Sequence, residues 1–134
     1  MSAVKAPMDA LPPKFDVAHH QYAPKVHFGL FVSHKRLLEY ALEEEILPPD
    51  FKPTTYFRAV AHVMKHLRNL TRVRSLYLAT PWSAETDTFV VALYNNHTMR
   101  KRKFPDDFEA ALLEAIAAEL DLHDSAKWYW DVAA

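Results

Sequence analysis

Lys25-Val26-His27-Phe28-Gly29-Leu30-Phe31-Val32, followed at once by Ser33-His34-Lys35-Arg36, is the stretch from which the fold is most readily read. Val26, Phe28, Leu30 and Val32 alternate with His27, Gly29 and Phe31, and this β-branched and aromatic content predicts a strand. Gly29 is the only glycine of the chain; inside a strand it marks a bulge or a close approach of backbone. Ser33 is suited to cap a helix, and Leu38, Ala41, Leu42 and Ile46 follow at helical spacing until Pro48 and Pro49 end it. A strand therefore runs straight into a helix.

Working towards the C-terminus, a second helix starts near Thr54 or Thr55 with an apolar stripe of Phe57, Val60, Met64, Leu67 and Leu70 or Thr71. Val73 to Ala79 and Thr88 to Tyr94 are rich in strand formers and flank the turn-prone segment Thr80 to Asp87. Pro105 or Asp106 opens a third helix whose apolar face is Phe108, Leu112, Leu113, Ile116 and Leu120, with Asp106 and Glu109 spaced as a capping box. In Ala126 to Val132, Trp128, Trp130 and Val132 alternate with Lys127, Tyr129 and Asp131, which predicts a fourth strand. On the other side of the opening stretch, Met1 to Pro24 carries Pro7, Pro12, Pro13 and Pro24, so residues 1–24 are expected to be a flexible or extended arm with few periodic contacts. Residues 25–134 are then a single α+β domain.

The order β-α-α-β-β-α-β is that of the ferredoxin-like split βαβ pattern, with its first crossover broken in two at Pro48 and Pro49. It predicts a four-stranded antiparallel sheet with helices on one face. If Leu76, Leu78, Trp128 and Trp130 point at the helices, the other face carries Phe31, Tyr77, Tyr94 and Tyr129, together with His27. Thr88 to Tyr94 reads Thr-Phe-Val-Val-Ala-Leu-Tyr and lacks the basic-aromatic signature of RNA-recognition strands. Burial in a homodimer is the expected fate of this face, ahead of base stacking.

The chain has 134 residues, half of them apolar and a quarter charged, and no cysteine. That is an ordinary size and composition for one globular domain. The missing cysteines exclude disulfides, thiolate metal sites and cysteine nucleophiles, and predict an intracellular protein, cytoplasmic or nuclear. Met1 to Pro13 does not resemble a secretory signal, and no run approaches the roughly 18 apolar residues of a membrane helix. The net charge is −1, but it is segregated. Met1 to Phe57 has six Lys/Arg and seven Asp/Glu, Arg58 to Lys103 has nine against two, and Phe104 to Ala134 has one against eight. A basic face on a near-neutral chain is expected, and such a face attracts anions.

Arg58, His62, Lys65, Asn69 and Arg72 share one arc of the second helix at about 100° per residue. Arg100, Lys101, Arg102 and Lys103 would extend that patch if they lie near Arg68, Arg72 and Arg74, and alone they suit a phosphate-contacting loop or a nuclear import signal. His62 and His66 have the spacing of a metal pair, but Lys65 sits between them and the helix offers no carboxylate as third ligand, so neither metal nor cofactor is expected. The Ser33 helix carries His34, Lys35 and Arg36 in its first turn and Glu43, Glu44 and Glu45 in its last, against its own dipole. That reversal marks an anion site, or is simply tolerated.

No catalytic motif is present: a lone glycine cannot build a phosphate loop, and there is no Gly-x-Ser-x-Gly or His-Glu-x-x-His. None of His19, His20, His27, His34, His62, His66, His97 and His123 has an orienting carboxylate set beside it by local spacing. Three classes of function stay open. The leading one is a non-catalytic, homodimeric binding module whose basic face takes an anionic partner, nucleic acid or an acidic protein surface. The second is a small cofactor-free enzyme with a histidine-containing apolar pocket between sheet and helices, with His27 the first residue to test. The third is a helper subunit that docks on a larger protein.

Overall fold

A computed structural model of the chain describes residues 5–18, 20–47, 56–83, 87–102 and 104–134. The helix-ending Pro48 and Pro49, the helix start at Thr54 or Thr55, the side chain of Phe57, His19 and Lys103 lie outside the described parts. The elements are β1 (Val26–Ser33), α1 (His34–Glu43), α2 (Tyr56–Thr71), β2 (Tyr77–Ala79), β3 (Thr88–Asn95), α3 (Asp106–Leu120) and β4 (Lys127–Trp130). The fold is α+β, with a four-stranded antiparallel sheet in the order β2-β3-β1-β4. No helix among the described residues is long and apolar enough to cross a membrane.

β1 is a central strand and sets the rest. The Ser33 hydroxyl accepts from the Arg36 backbone N–H at 3.1 Å, which starts α1 with no intervening loop. The pairing of β1 with β3 slips between Phe28 and Gly29, because Leu93 is an extra residue in β3. Gly29 is needed at this bulge, since a Cβ there would stand 2.0 Å from the Val91 carbonyl oxygen. The slip also corrects one expectation. Simple alternation puts Tyr94 on the face away from the helices; with Leu93 bulged, both residues turn towards the helices instead, and the Tyr94 ring packs against Phe28 and Trp128 at 5.3 and 5.7 Å.

The main core lies between the sheet and the helices, where Val26, Leu30, Val32, Val91 and Trp128 meet Leu37 and Tyr40 of α1, Val63, Met64 and Leu67 of α2, and Leu112, Ile116 and Leu120 of α3. The helix phases differ slightly from the sequence reading. Leu37, Tyr40 and Ala41 are the buried face of α1 while Leu42 is exposed, and Leu70 and Phe108 are exposed as well. The cap expected from Asp106 and Glu109 does not form: Pro105 is the N-cap of α3, with no side-chain hydrogen bond, and Asp106 is engaged by Arg102 instead. One pair of the reversed charges of α1 meets, since the Arg36 guanidinium spans the helix to Glu43 at 3.1 and 3.2 Å and also donates to the Leu120 carbonyl at 2.7 Å.

The described part of the N-terminal arm carries a 3-10 turn at Pro13–Phe15 and is docked on the domain, with more contacts than its composition leads one to expect. Met8 forms an antiparallel bridge with Trp128 on the outer edge of β4. Phe15 is 2% exposed and meets Trp130 edge to face at 5.0 Å. Asn96, wholly buried, holds the arm by donating to the carbonyls of Phe15 and Pro24 and accepting from the Val26 N–H. Burial of one phenylalanine contributes about 1.5–3 kcal/mol, and the Met8 bridge and the Asn96 hydrogen bonds act with it against the entropy of ordering the segment.

The sheet face away from the helices is also covered from within the chain. β2 and β4 are opposite edges, yet the chain leaving β2 reaches β4: Pro81 bridges Asp131, the Trp82 N–H donates to the Trp130 carbonyl at 2.8 Å, and the Val132 N–H donates to Thr80 at 3.0 Å. The two edges are thereby joined across this face. On this face Ala79, Val90, Ala92 and Tyr129 form a second, smaller cluster that Phe31 and Tyr77 flank.

Candidate anion-binding cleft

At one end of the sheet the start of β2, the end of β3, the α2–β2 connection and the segment entering α3 enclose a cleft of about 870 Å³. Its position follows from two local facts. α2 stops at Thr71 because Arg72 takes a left-handed conformation, φ 61°, which turns the chain out of the helix and delays β2 until Tyr77. On the facing side, Asn95 ends β3 in a turn whose Oδ1 accepts the His97 and Thr98 backbone N–H groups at 2.8 and 3.0 Å. A 3-10 turn at Met99–Lys101 then carries the chain round to α3.

The cleft has a basic rim and an apolar floor. Arg72, Arg74, Lys101 and Arg102 line it, along with Val73, Leu93, Phe104 and Phe108. Arg102 is committed, donating to Asp106 at 2.8 Å and stacking over the Tyr94 ring at 5.4 Å. Arg72, Arg74 and Lys101 are exposed and enter no salt bridge among the described residues. Three positive charges around one concavity repel one another, and a bound anion relieves that repulsion.

The expected basic face is thus split. Arg72, Lys101 and Arg102 come together, with Arg74 as a fourth member. Arg100 turns away to pair with Asp16 of the arm at 3.0 Å, and Lys103 lies outside the described residues. Arg58 and Lys65 are exposed on α2 but do not line the cleft, being roughly 20 and 10 Å back along the helix at 1.5 Å per residue. His62 is half-buried and His66 lies against the Tyr40 ring at 6.0 Å; among the described residues no group of three or more His, Asp or Glu is placed to hold a metal ion. Phe108 fits the apolar stripe of α3 by its spacing, and nothing in the sequence marks it as a cleft residue.

Tyr77 connects the cleft to the small cluster behind the sheet. Its hydroxyl and Nδ1 of His27 are 2.7 Å apart, and Nε2 of His27 is 2.7 Å from Asp131. The carboxylate can only accept, so Nε2 carries the proton facing Asp131, and in the neutral ring Nδ1 accepts from Tyr77. Burial pushes the Tyr77 hydroxyl up to about 12, against a hydrogen bond from Asn95 that works the other way. Burial also works to raise Asp131, but hydrogen bonds from His27 and from the Ala133 backbone outweigh it and hold the carboxyl below its ordinary value. Of the residues expected on this face, His27 and Tyr129 are buried, at 4% and 6% exposure, and Phe31 and Tyr77 are half-buried. The His27 to Asp131 pairing joins distant parts of the sequence, so only the alternation of the last strand hints at it.

Compared with models of known protein families, with curated proteins and with solved structures, the chain matches none of them.

Proposed function

We propose that the chain is a non-catalytic binding module whose working surface is the basic-rimmed cleft, and that its partner is anionic. The observation that carries this reading is the gathering of Arg72, Arg74 and Lys101, without salt bridges among the described residues, around one concave site. A surface kept only for solubility scatters its charges or pairs them. The ferredoxin-like topology is part of the same reading, supported by the strand order β2-β3-β1-β4 and the succession β-α-α-β-β-α-β. A cytoplasmic or nuclear setting belongs with it, where nucleic acids and other polyphosphates supply the anions.

The homodimer is the weaker part of the proposal. Phe31 and Tyr77 stay partly exposed on the sheet face, but Val90, Ala92 and Tyr129 are already buried inside one chain, which leaves little apolar area to drive association there. A second reading, a small cofactor-free enzyme, rests on the Tyr77–His27–Asp131 chain of hydrogen bonds, whose first member lines the cleft. Those bonds are satisfied within the protein and the phenol is held neutral well above pH 7, which favours a strut between strands over a proton relay.

Heparin binding as a function of salt tests the leading proposal. Affinity is expected to fall steeply with salt, and charge reversal at Arg74 and Lys101 to lower both affinity and slope. On the scale of duplex DNA, the log–log slope drops by about one for each anionic group no longer neutralised. Reversal at Arg58 and Lys65 leaves binding nearly unchanged. Equal weakening by both pairs, or heparin binding indifferent to reversal at Arg74 and Lys101, removes the cleft as the working surface.

A further inference from the structure

We propose that the cleft's ligand is a small organic phosphate with an aromatic body, of the size and chemistry of a nucleotide, and not an extended polyanion. The inference rests on the anion-binding reading and narrows it to a ligand class. Three features of the cleft carry it.

The first is shape. The cleft is half open, and its volume of about 870 Å³ lies within the size range of small-molecule sites. A polymer instead needs cations spaced along a track, and the cations that could prolong one are elsewhere: Arg100 is paired with Asp16, and Arg58 and Lys65 are up the helix. The second is charge. Arg72, Arg74 and Lys101 exceed what a single carboxylate can neutralise, and two arginines suit the forked geometry of phosphate oxygens. α3 begins at the same rim, but Asp106 and Asp107 in its first turn offset its dipole, so the side-chain cations bear the anion. The third is the wall. Phe104 and Phe108, with ring centroids 5.8 Å apart, line the cleft with the cations, and Phe108 is 44% exposed despite its size. An exposed phenylalanine beside arginines suits a ligand with a flat apolar part joined to a charged one.

Apart from Ser75 and the cations, the polar side chains that line the cleft are already occupied. Asn95 Oδ1 accepts two backbone N–H groups, Thr98 Oγ1 accepts the Asn95 N–H at 3.0 Å, and the Tyr77 hydroxyl is bound to His27. Few donors or acceptors are left to read the edge of a base. Recognition by charge and stacking predicts little discrimination between adenine and guanine.

Calorimetric titration of the full chain with ATP, GTP, AMP, adenosine, inorganic phosphate and heparin tests this, with Arg74→Ala, Lys101→Ala and Phe108→Ala as variants. All three side chains are exposed, so thermal melting should report intact folds. ATP and GTP are expected to bind alike and more tightly than AMP, with adenosine and phosphate each at least about tenfold weaker than ATP. Arg74→Ala or Lys101→Ala should weaken ATP by roughly tenfold each, while Phe108→Ala weakens AMP and leaves phosphate unchanged. Heparin binding that depends on Arg74 and Lys101, with no ATP binding, overturns the nucleotide-sized ligand and keeps the anion-binding cleft. Binding of neither overturns both. ATP binding indifferent to all three variants puts the nucleotide at another site and overturns the inference.

Discussion

Arg36 and Arg100 on one side, and Arg72, Arg74 and Lys101 on the other, carry the same charge into opposite circumstances. Arg36 spans α1 to Glu43 and reaches the Leu120 carbonyl at the end of α3; Arg100 ties the 3-10 turn after β3 to Asp16 of the arm. These cations hold elements together. The cleft cations enter no salt bridge among the described residues, and they surround a space. Where cations serve the fold they meet carboxylates or carbonyls of a neighbouring element, so a cluster that meets none points outward to a ligand.

Breaking the structural half of this contrast should be costly. Phe15→Ala empties a site that is 2% exposed and loosens the arm that carries Asp16, so a loss of about 3–5 kcal/mol is expected in urea unfolding. A loss under about 1 kcal/mol would mean that the arm is not docked, and Arg100 would then count among the unengaged cations. Arg36→Met leaves the Leu120 carbonyl without its donor, for an expected loss of about 1–3 kcal/mol with anion affinity unchanged. A drop in anion affinity as large as that of the cleft variants would dissolve the distinction.

The cleft half behaves the other way. Arg72 holds a left-handed backbone, φ 61°, that glycine adopts without steric cost. Arg72→Gly is therefore expected to leave the fold unharmed or up to about 1 kcal/mol more stable, while anion affinity falls. Loss of stability on this change would show that the Arg72 side chain is structural.

The elements are legible in the sequence because each carries its own period. β1 alternates and is capped into α1 by Ser33, and the Trp128 and Trp130 alternation marks β4. The bulge is legible only as one option at Gly29; its consequence, Tyr94 turned to the helices, depends on an extra residue in the facing strand. The docked arm and the joined sheet edges are not legible, since Met8 to Trp128, Phe15 to Asn96 and Pro81 to Asp131 are pairings over long separations with no periodic signature. The same limit applies to the cleft. Charge segregation announces a basic face, but helical phase groups Arg72 with Arg58 and Lys65, whereas the left-handed turn groups it with Arg74, Lys101 and Phe108.

The central claim is that the cations gathered around the cleft without salt bridges among the described residues form the anion site. Amide chemical-shift mapping of the full chain titrated with pyrophosphate tests it most directly. The account predicts saturable shifts confined to residues 72–75, 98–102, 104 and 106–108, with those of Arg36, Arg58 and Lys65 nearly still. Shifts centred on Arg58 and Lys65, or spread evenly over every cation of the chain, would contradict it.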